Sequence, residues 1–359
     1  MARAKKYLDI DVLTAAKERL RHIFDLFDTV VVSFSGGKDS LVALHLTREI
    51  AKERGLDHVD VLFYDEELIP DEVIDFVDSY RVQPWVRMTW YCVPLQSSKY
   101  ILGKTYDYVQ WDPKRAHVRT MPEWGVKLAP GDSRIFDQQS FNAYTCERYR
   151  GKVAYITGIR AQESLMRWRA SVSKLNENYI TASTSKKVNL CKPLYDWQED
   201  DVFKFFYDQG IKYCSVYDKQ AWAGSKLRVA TPLVSEGSKH LDMLRSYSPD
   251  LYGRIMAIFP EMLVQDRYYK DFDRDAIIRQ YGQSFEGVRA WIDENITEER
   301  LLAKANKVLQ HVLARNAKDP TLFPPAYVLK NYVDGGYRRN IMPLGYTVTT
   351  ASNGRVVRK

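Results

Sequence analysis

Cysteine is scarce in this chain, with four among 359 residues: Cys92, Cys146, Cys191 and Cys214. None forms a Cys-x-x-Cys pair, which excludes the local spacings of zinc and iron–sulfur sites, and in a reducing compartment all four are expected as free thiols. Nothing after Cys214 can act as a thiol nucleophile. No apolar run approaches the roughly 20 residues of a membrane-spanning helix, and the opening Met1-Ala2-Arg3-Ala4-Lys5-Lys6 lacks the apolar stretch of a signal peptide. A cytoplasmic protein with no membrane partner is the expectation. Internal repeats are also missing. What is present is an ordinary core-forming composition, 45% hydrophobic and 28% charged, with 13% aromatic residues. The net charge of +7 and pI near 9.0 favour anionic partners, a class that spans nucleotides, nucleic acid and acidic proteins and that charge alone does not narrow.

The length predicts more than one unit. Residues 8–27 place apolar groups at helical spacing. Thr29 to Phe34 reads as a buried strand, followed by a glycine turn and a helix over 40–54. Further strands are expected at 59–64, 85–93 and 153–158, with a helix at 70–80 that begins on Pro70. Strands alternating with helices predict an α/β fold, a doubly wound and mainly parallel sheet. Residues 94–133 break the pattern with Tyr100, Tyr106, Tyr108, Trp111, Lys114, Arg115, His117, Arg119, Trp124 and Lys127, an insertion too long for an ordinary connection. Asp196 is expected to cap the helix at 199–209 while Trp197 packs. Beyond about residue 235 the chain turns helical, with a clear helix starting after Thr297. The expected organisation is a nucleotide-binding domain over 1–235, a helical region over 236–340 and a basic tail over 341–359.

The chemistry concentrates in Ser33-Phe34-Ser35-Gly36-Gly37-Lys38-Asp39-Ser40. Adjacent glycines let the backbone turn tightly and bring N–H groups to an anion, and the following helix N-terminus adds its positive dipole end. Walker A spacing is absent. Arg160 follows Gly158 at the carboxyl end of a strand, where open α/β sheets bind ligands, and its planar fork suits phosphate or sulfate oxygens. Arg167 and Arg169 stand further on, where they either face the site or are simply solvated. Glu66 and Glu67 read as helix-start acids or as oxygen ligands for Mg²⁺, and Lys192 beside Cys191 as a charge that favours a thiolate.

The sequence Ser35 to Ser40, S-G-G-K-D-S, resembles the PP-loop of the ATP pyrophosphatase superfamily. Gly158-Ile159-Arg160-Ala161-Gln162-Glu163-Ser164-Leu165-Met166-Arg167 is similar to the G-x-R-x-x-E-S-x-x-R element of its phosphoadenosine phosphosulfate (PAPS) reductase branch. Lys192-Pro193-Leu194-Tyr195-Asp196-Trp197 through Phe203 is similar to that branch's P-x-x-D-W segment. The chain departs from the branch in three places. Tyr64-Asp65-Glu66-Glu67 stands where D-T-G is usual, the near-terminal Glu-Cys-Gly-(Leu/Ile)-His is missing, and Lys226-Leu227-Arg228-Val229-Ala230-Thr231-Pro232 stands where relatives show Arg followed by Gly-Cys. These departures resemble the branch of PAPS-reductase-like proteins encoded beside ParB-like partners in bacteria and phages.

The resemblance implies an adenine nucleotide α-hydrolase-like fold that binds ATP and Mg²⁺ and cleaves ATP to AMP and pyrophosphate to activate an acceptor, in sulfur transfer or nucleic-acid modification. Lys38, Asp39 and Arg160 are its implied catalytic residues. Ser33, Ser35, Gly36, Gly37, Lys38, Asp39, Ser40, Asp65, Gly158, Arg160, Glu163 and Arg167 would contact the nucleotide, with Asp39 on the metal. The implied partners are an adenine nucleotide, a ParB-like protein within a homo-oligomer or hetero-complex, and nucleic acid against the basic aromatic insertion. A phosphoadenylyl-sulfate reductase and a nucleotide-sensing subunit remain alternatives.

Overall fold

Short, β-branched and almost wholly apolar runs fix the centre of the fold, because strands buried on both faces have no polar side to show. The computed structural model describes residues 9–164, 167–168, 177–183, 185–338, 340–344, 348–350 and 356–358. In chain order its strands begin with Thr29–Ser33 (β1), Val59–Tyr64 (β2), Val86–Tyr91 (β3), Leu95–Ile101 (β4) and Lys104–Gln110 (β5), and continue with Val153–Ile156 (β6), Ile180–Ala182 (β7) and Val188–Cys191 (β8). Six of them form one sheet in the order β3-β2-β1-β6-β8-β7. All neighbours are parallel except β7, which runs antiparallel to β8 at the edge. The chain winds outward from β1 through β2 to β3 and then returns to β1's other side as β6. This is a doubly wound α/β sheet whose switch point lies between β1 and β6, and ligands bind such sheets at the carboxyl ends flanking the switch.

The chain divides into two compact units. The first takes residues 9–95 and 110–230 and contains the six-stranded sheet. Its helices are Val12–Leu26 (α1), Lys38–Glu53 (α2), Asp71–Arg81 (α3), Gln138–Cys146 (α4), Glu199–Gln209 (α5) and Val216–Trp222 (α6). Helix α2 buries Leu41, Val42, Leu44, Leu46 and Ile50, which is why it starts abruptly at the glycine turn and stays fixed. The edge pair β7 and β8 was not legible in the sequence. The cap on α5 also differs from expectation: Gln198 is its N-cap. Asp196 instead receives a two-pronged ion pair from Arg19 of α1, at 2.6 and 2.8 Å. Trp197 is buried and donates to the Val12 carbonyl at 3.0 Å.

The second unit takes residues 96–109 and most of the chain from Thr231 onward. The expected single insertion is thus split, with its first part forming the β4–β5 hairpin of this unit and the rest belonging to the first. Leu102 and Gly103 turn the hairpin with φ of 41° and 87°, the two positive values a tight primed turn needs. The hairpin is tied to its own unit by Tyr100 N–H on the Leu233 carbonyl (2.9 Å) and Tyr100 Oη on the Val333 carbonyl (3.0 Å). Tyr108 Oη pairs with Thr231 Oγ1 (2.9 Å), and the Asp107 N–H donates to Glu298. The helices after Thr231 pack Trp291, Ile292, Leu309, Val312, Phe323, Leu329 and Tyr332 into one core. Helix Glu299–Asn316 presents Leu301, Ala305, Val308, Leu309 and Val312 to it, as their spacing requires. Val348–Thr350 and Val356–Arg358 form a separate two-stranded sheet. The remainder of the expected basic tail lies outside the described residues, as do Leu8, Leu165, Met166 and Arg169. Among the described residues no helix is long and apolar enough to cross a membrane.

Candidate functional site

At the carboxyl edge of the sheet, β1 ends on Ser33, in register with Leu62 of β2, and the loop Phe34–Gly37 leads straight into α2. Gly36 has φ +72° and lies against Val73 and Val77 of α3, so that a Cβ would come within 2.7 Å of a valine methyl. The turn therefore demands glycine on both conformational and steric grounds. Ser35 and Ser40 close the loop on itself: Ser35 N–H donates to Ser40 Oγ (3.1 Å), the two hydroxyls lie 3.0 Å apart, and Ser40 Oγ reaches the Gly37 carbonyl (2.9 Å).

The neighbouring edge loop after β6 meets this turn backbone to backbone. A Cβ on Gly158 would lie 2.4 Å from the Asp39 carbonyl carbon and 2.5 Å from Ser40 N. Only a hydrogen fits there. The approach brings Arg160, whose side chain is almost fully buried, to Asp39, with Nε donating to Oδ1 at 2.6 Å. Its Nη1 donates to Gln162 Oε1 (2.8 Å), and its own N–H is received by Glu163 Oε2 (3.0 Å). Glu163 also pairs with Arg167. The structure thus gathers Lys38, Asp39, Gly158, Arg160, Glu163 and Arg167 at one edge. Arg167 is more exposed than Arg160 and joins the group through Glu163.

Lys38, an expected member of the site, is held by partners that the sequence does not announce. Its side chain is buried, with Nζ 3.1 Å from Glu199 Oε1, 3.1 Å from the Leu227 carbonyl and 3.6 Å from Asp39 Oδ2. Its ammonium lies over the Tyr217 ring at 5.3 Å, and its N–H donates to Tyr217 Oη at 2.8 Å. Glu199, Tyr217 and Leu227 come from about 160 to 190 positions away in the sequence, so no local spacing announces them. Asp39 faces Arg160 and Lys38, which leaves it an anchor for two cations. Among the described residues no three His, Cys, Asp or Glu side chains gather as a metal site. Asp39, the residue expected on the metal, has Oδ1 engaged by Arg160 and Oδ2 3.6 Å from Lys38 Nζ. A Mg²⁺ carried on triphosphate oxygens would be part of the substrate.

Asp65, expected at the nucleotide, is engaged within the protein. It is fully buried and accepts from Trp90 Nε1 (2.8 Å) and the Glu67 N–H (2.9 Å) while pairing with Arg119. Glu67, also fully buried and at φ 63°, accepts from both Nη atoms of Arg115 (2.7 Å each), from Trp111 N–H (2.6 Å) and from Val118 N–H (2.9 Å). These carboxylates pin residues 111–119 to the end of β2, because buried charges persist only when paired and hydrogen-bonded. Both carboxylates are thus occupied by partners within the protein. Trp111 is buried too, with Nε1 on the Asp65 carbonyl (2.7 Å), so it offers no face for a base. Arg115 and Arg119 are neutralised at the same hub, whereas Lys114 and Lys127 are exposed.

All four cysteines are buried and free. Burial pushes the Cys191 thiol up to about 12, outweighing the opposing charge of Lys192. It pushes Cys214 up to about 11, and Cys92 is raised by burial and then by the Asp65 carboxylate.

The Phosphoadenosine phosphosulfate reductase domain matches residues 29–255. Uncharacterized protein YbdN of Escherichia coli is 28% identical over 272 residues, which span 70% of this chain and 66% of that protein. An adenosine 5'-phosphosulfate reductase of Staphylococcus epidermidis is 23% identical over 59% of this chain and 75% of its own. Among solved structures, a phosphoadenylyl-sulfate reductase of Candida auris in a phosphate complex shares 14% identity over 60% of this chain and 88% of its own, with a TM-score of 0.34. The domain match covers more than half of the chain and begins at the strand that carries the glycine loop. The chain belongs to the phosphoadenosine phosphosulfate reductase domain family and is a PP-loop, PAPS reductase-like protein.

Proposed function

We propose that the edge loop binds the phosphates of ATP and that the protein cleaves ATP at the α-phosphorus, releasing pyrophosphate and activating an acceptor. The observation that carries this reading is the backbone contact of Gly158 with Asp39 and Ser40, which sets two cations, Lys38 and Arg160, on one anion-binding turn at the switch point of the sheet. Gly36, Gly37 and the start of α2 direct N–H groups to phosphate oxygens. Ser33, Ser35 and Ser40 supply hydroxyls beside them. The nucleophile of the acceptor forms a bond to the α-phosphorus as the bond to the bridging oxygen breaks. Pyrophosphate leaves with that electron pair, and the acceptor's proton passes to solvent. Lys38 and Arg160 stabilise the charge that accumulates on the departing oxygens, a contribution of position and electrostatics alone.

The burial of all four thiols argues against ready delivery of a thiolate to sulfur. The test is pyrophosphate and AMP formation from MgATP by the purified chain, with and without candidate acceptors, compared with Lys38→Ala. Pyrophosphate that depends on Lys38 supports the reading. Tight binding without turnover under every condition would favour a nucleotide sensor, and sulfite formed from PAPS with thioredoxin would restore the reductase.

A further inference from the structure

Lys38 has two groups to offer an anion, its N–H at the start of α2 and its ammonium, and both are already taken by the chain. The Tyr217 hydroxyl accepts from the N–H at 2.8 Å, and the Leu227 carbonyl accepts from Nζ at 3.1 Å. Both occupants hang from α6. Tyr217 lies in its first turn. Gln220, on the same helix and buried, clamps the backbone of Arg228 from both sides, with Nε2 on its carbonyl (2.7 Å) and Oε1 receiving its N–H (3.0 Å). That clamp fixes the direction of the adjoining Leu227 carbonyl. The hydroxyl is also 3.2 Å from where a Gly37 Cβ would stand, so the phenol presses directly on the glycine turn. Burial keeps Tyr217 protonated, and a neutral oxygen at the head of a helix stands where a phosphate oxygen would be held more strongly.

We infer that Tyr217 and the 226–228 backbone form a latch over the loop, and that a phosphate group opens it by taking the Lys38 N–H and ammonium in their place. This inference rests on the proposed phosphate site. An anion that takes the N–H displaces the phenol, and with it the first turn of α6. Loss of the ammonium contact frees the Leu227 carbonyl. The segment 214–230 is then held by fewer bonds when nucleotide is bound than when it is absent. Site occupancy is thereby transmitted to a stretch that carries the exposed Trp222, Lys226 and Arg228.

The experiment pairs calorimetry with hydrogen–deuterium exchange, using the full chain and an ATP analogue whose α and β phosphorus atoms are bridged by methylene, with MgCl₂. Tyr217→Phe keeps the ring over Lys38 and deletes only the competing oxygen. It should bind the analogue about fivefold more tightly than wild type, the equivalent of one hydrogen bond of about 1 kcal/mol. In wild type the analogue should raise exchange over residues 214–230. In Tyr217→Phe exchange there should already be raised without ligand. Binding by wild type with equal affinity in the variant, or exchange over 214–230 that falls on binding, overturns the latch while leaving the phosphate site in place. Binding by neither protein removes the site and the latch together. Binding by Tyr217→Phe alone supports a latch strong enough to shut the loop.

Discussion

Arg160 illustrates how one side chain serves geometry and charge at once. Its guanidinium reaches Asp39 through Nε and Gln162 through Nη1, and Gln162 Oε1 in turn receives the Glu199 N–H at 3.1 Å. A lysine retains the charge but not the fork. Arg160→Lys should therefore weaken nucleotide binding by about 1–2 kcal/mol with the fold intact, measured by calorimetry alongside circular dichroism. Unchanged affinity would make Arg160 a structural partner of Asp39 only. Gly158→Ala should be far more severe, since its methyl would sit 2.4 Å from backbone that no rotamer can move aside. We expect a large fall in melting temperature together with loss of nucleotide binding. A melting temperature close to wild type would show that the two edge loops can separate.

At the scale of elements, β1, β2, β3, β6 and α2 were legible because buried strands read as short apolar runs and α2 keeps a helical period. Helix α5 falls on the expected residues, 199–209. The β4–β5 hairpin was hidden by its Leu102-Gly103 turn, which lacks the Asn-Gly or Asp-Gly signal, and by an aromatic and basic composition that reads as irregular. The glycine loop and Arg160 stood out locally. Tyr217, Glu199 and Leu227 did not, because their meeting with Lys38 exists only after α5 and α6 dock. The pairing of Asp65 and Glu67 was hidden because their counter-ions, Arg119 and Arg115, lie about 50 positions away. Breaking that hub by Glu67→Ala leaves the half-buried Arg115 without its carboxylate and the Trp111 and Val118 N–H groups without their acceptor, and should cost about 3–5 kcal/mol in denaturant unfolding. A cost under about 1 kcal/mol would reduce the hub to a surface ion pair.

Helix α2 carries a second titratable device. His45 donates to or accepts from Tyr80 Oη at 2.9 Å and borders a groove of about 730 Å³ shared with Arg48, Phe76, Trp85 and Tyr213. Burial, with the Arg48 charge beside it, holds the His45 pKa down at about 4. The folded value lies below the unfolded one, so the stability it confers is complete above about pH 6.5 and is lost as pH falls through 4. His45→Gln should remove about 2–3 kcal/mol of the acid-induced loss between pH 7 and 4, measured by urea unfolding at each pH. Parallel pH profiles for variant and wild type would show that His45 titrates normally.

For the whole molecule, the thiols give the broadest test. With Cys191 near 12 and Cys214 near 11, and all four side chains buried, native labelling by iodoacetamide at pH 8 should run more than about a hundredfold slower than labelling in guanidinium chloride. One cysteine modified at the rate of a free thiol would identify an exposed nucleophile and reopen the sulfur chemistry.

The path of the chain between its two units bears on how such a protein can be cut and recombined. The second unit owns β4 and β5, which are encoded inside the first. A fragment ending at Ala230 would still make Tyr100, Asp107 and Tyr108 but without Leu233, Val333, Glu298 and Thr231, the groups that pair with them. A fragment starting at Thr231 would fold its helices without those two strands. Neither unit is therefore a cassette that a single recombination event could transplant. Any exchange between relatives that preserves both must move the hairpin together with the C-terminal half, or move nothing.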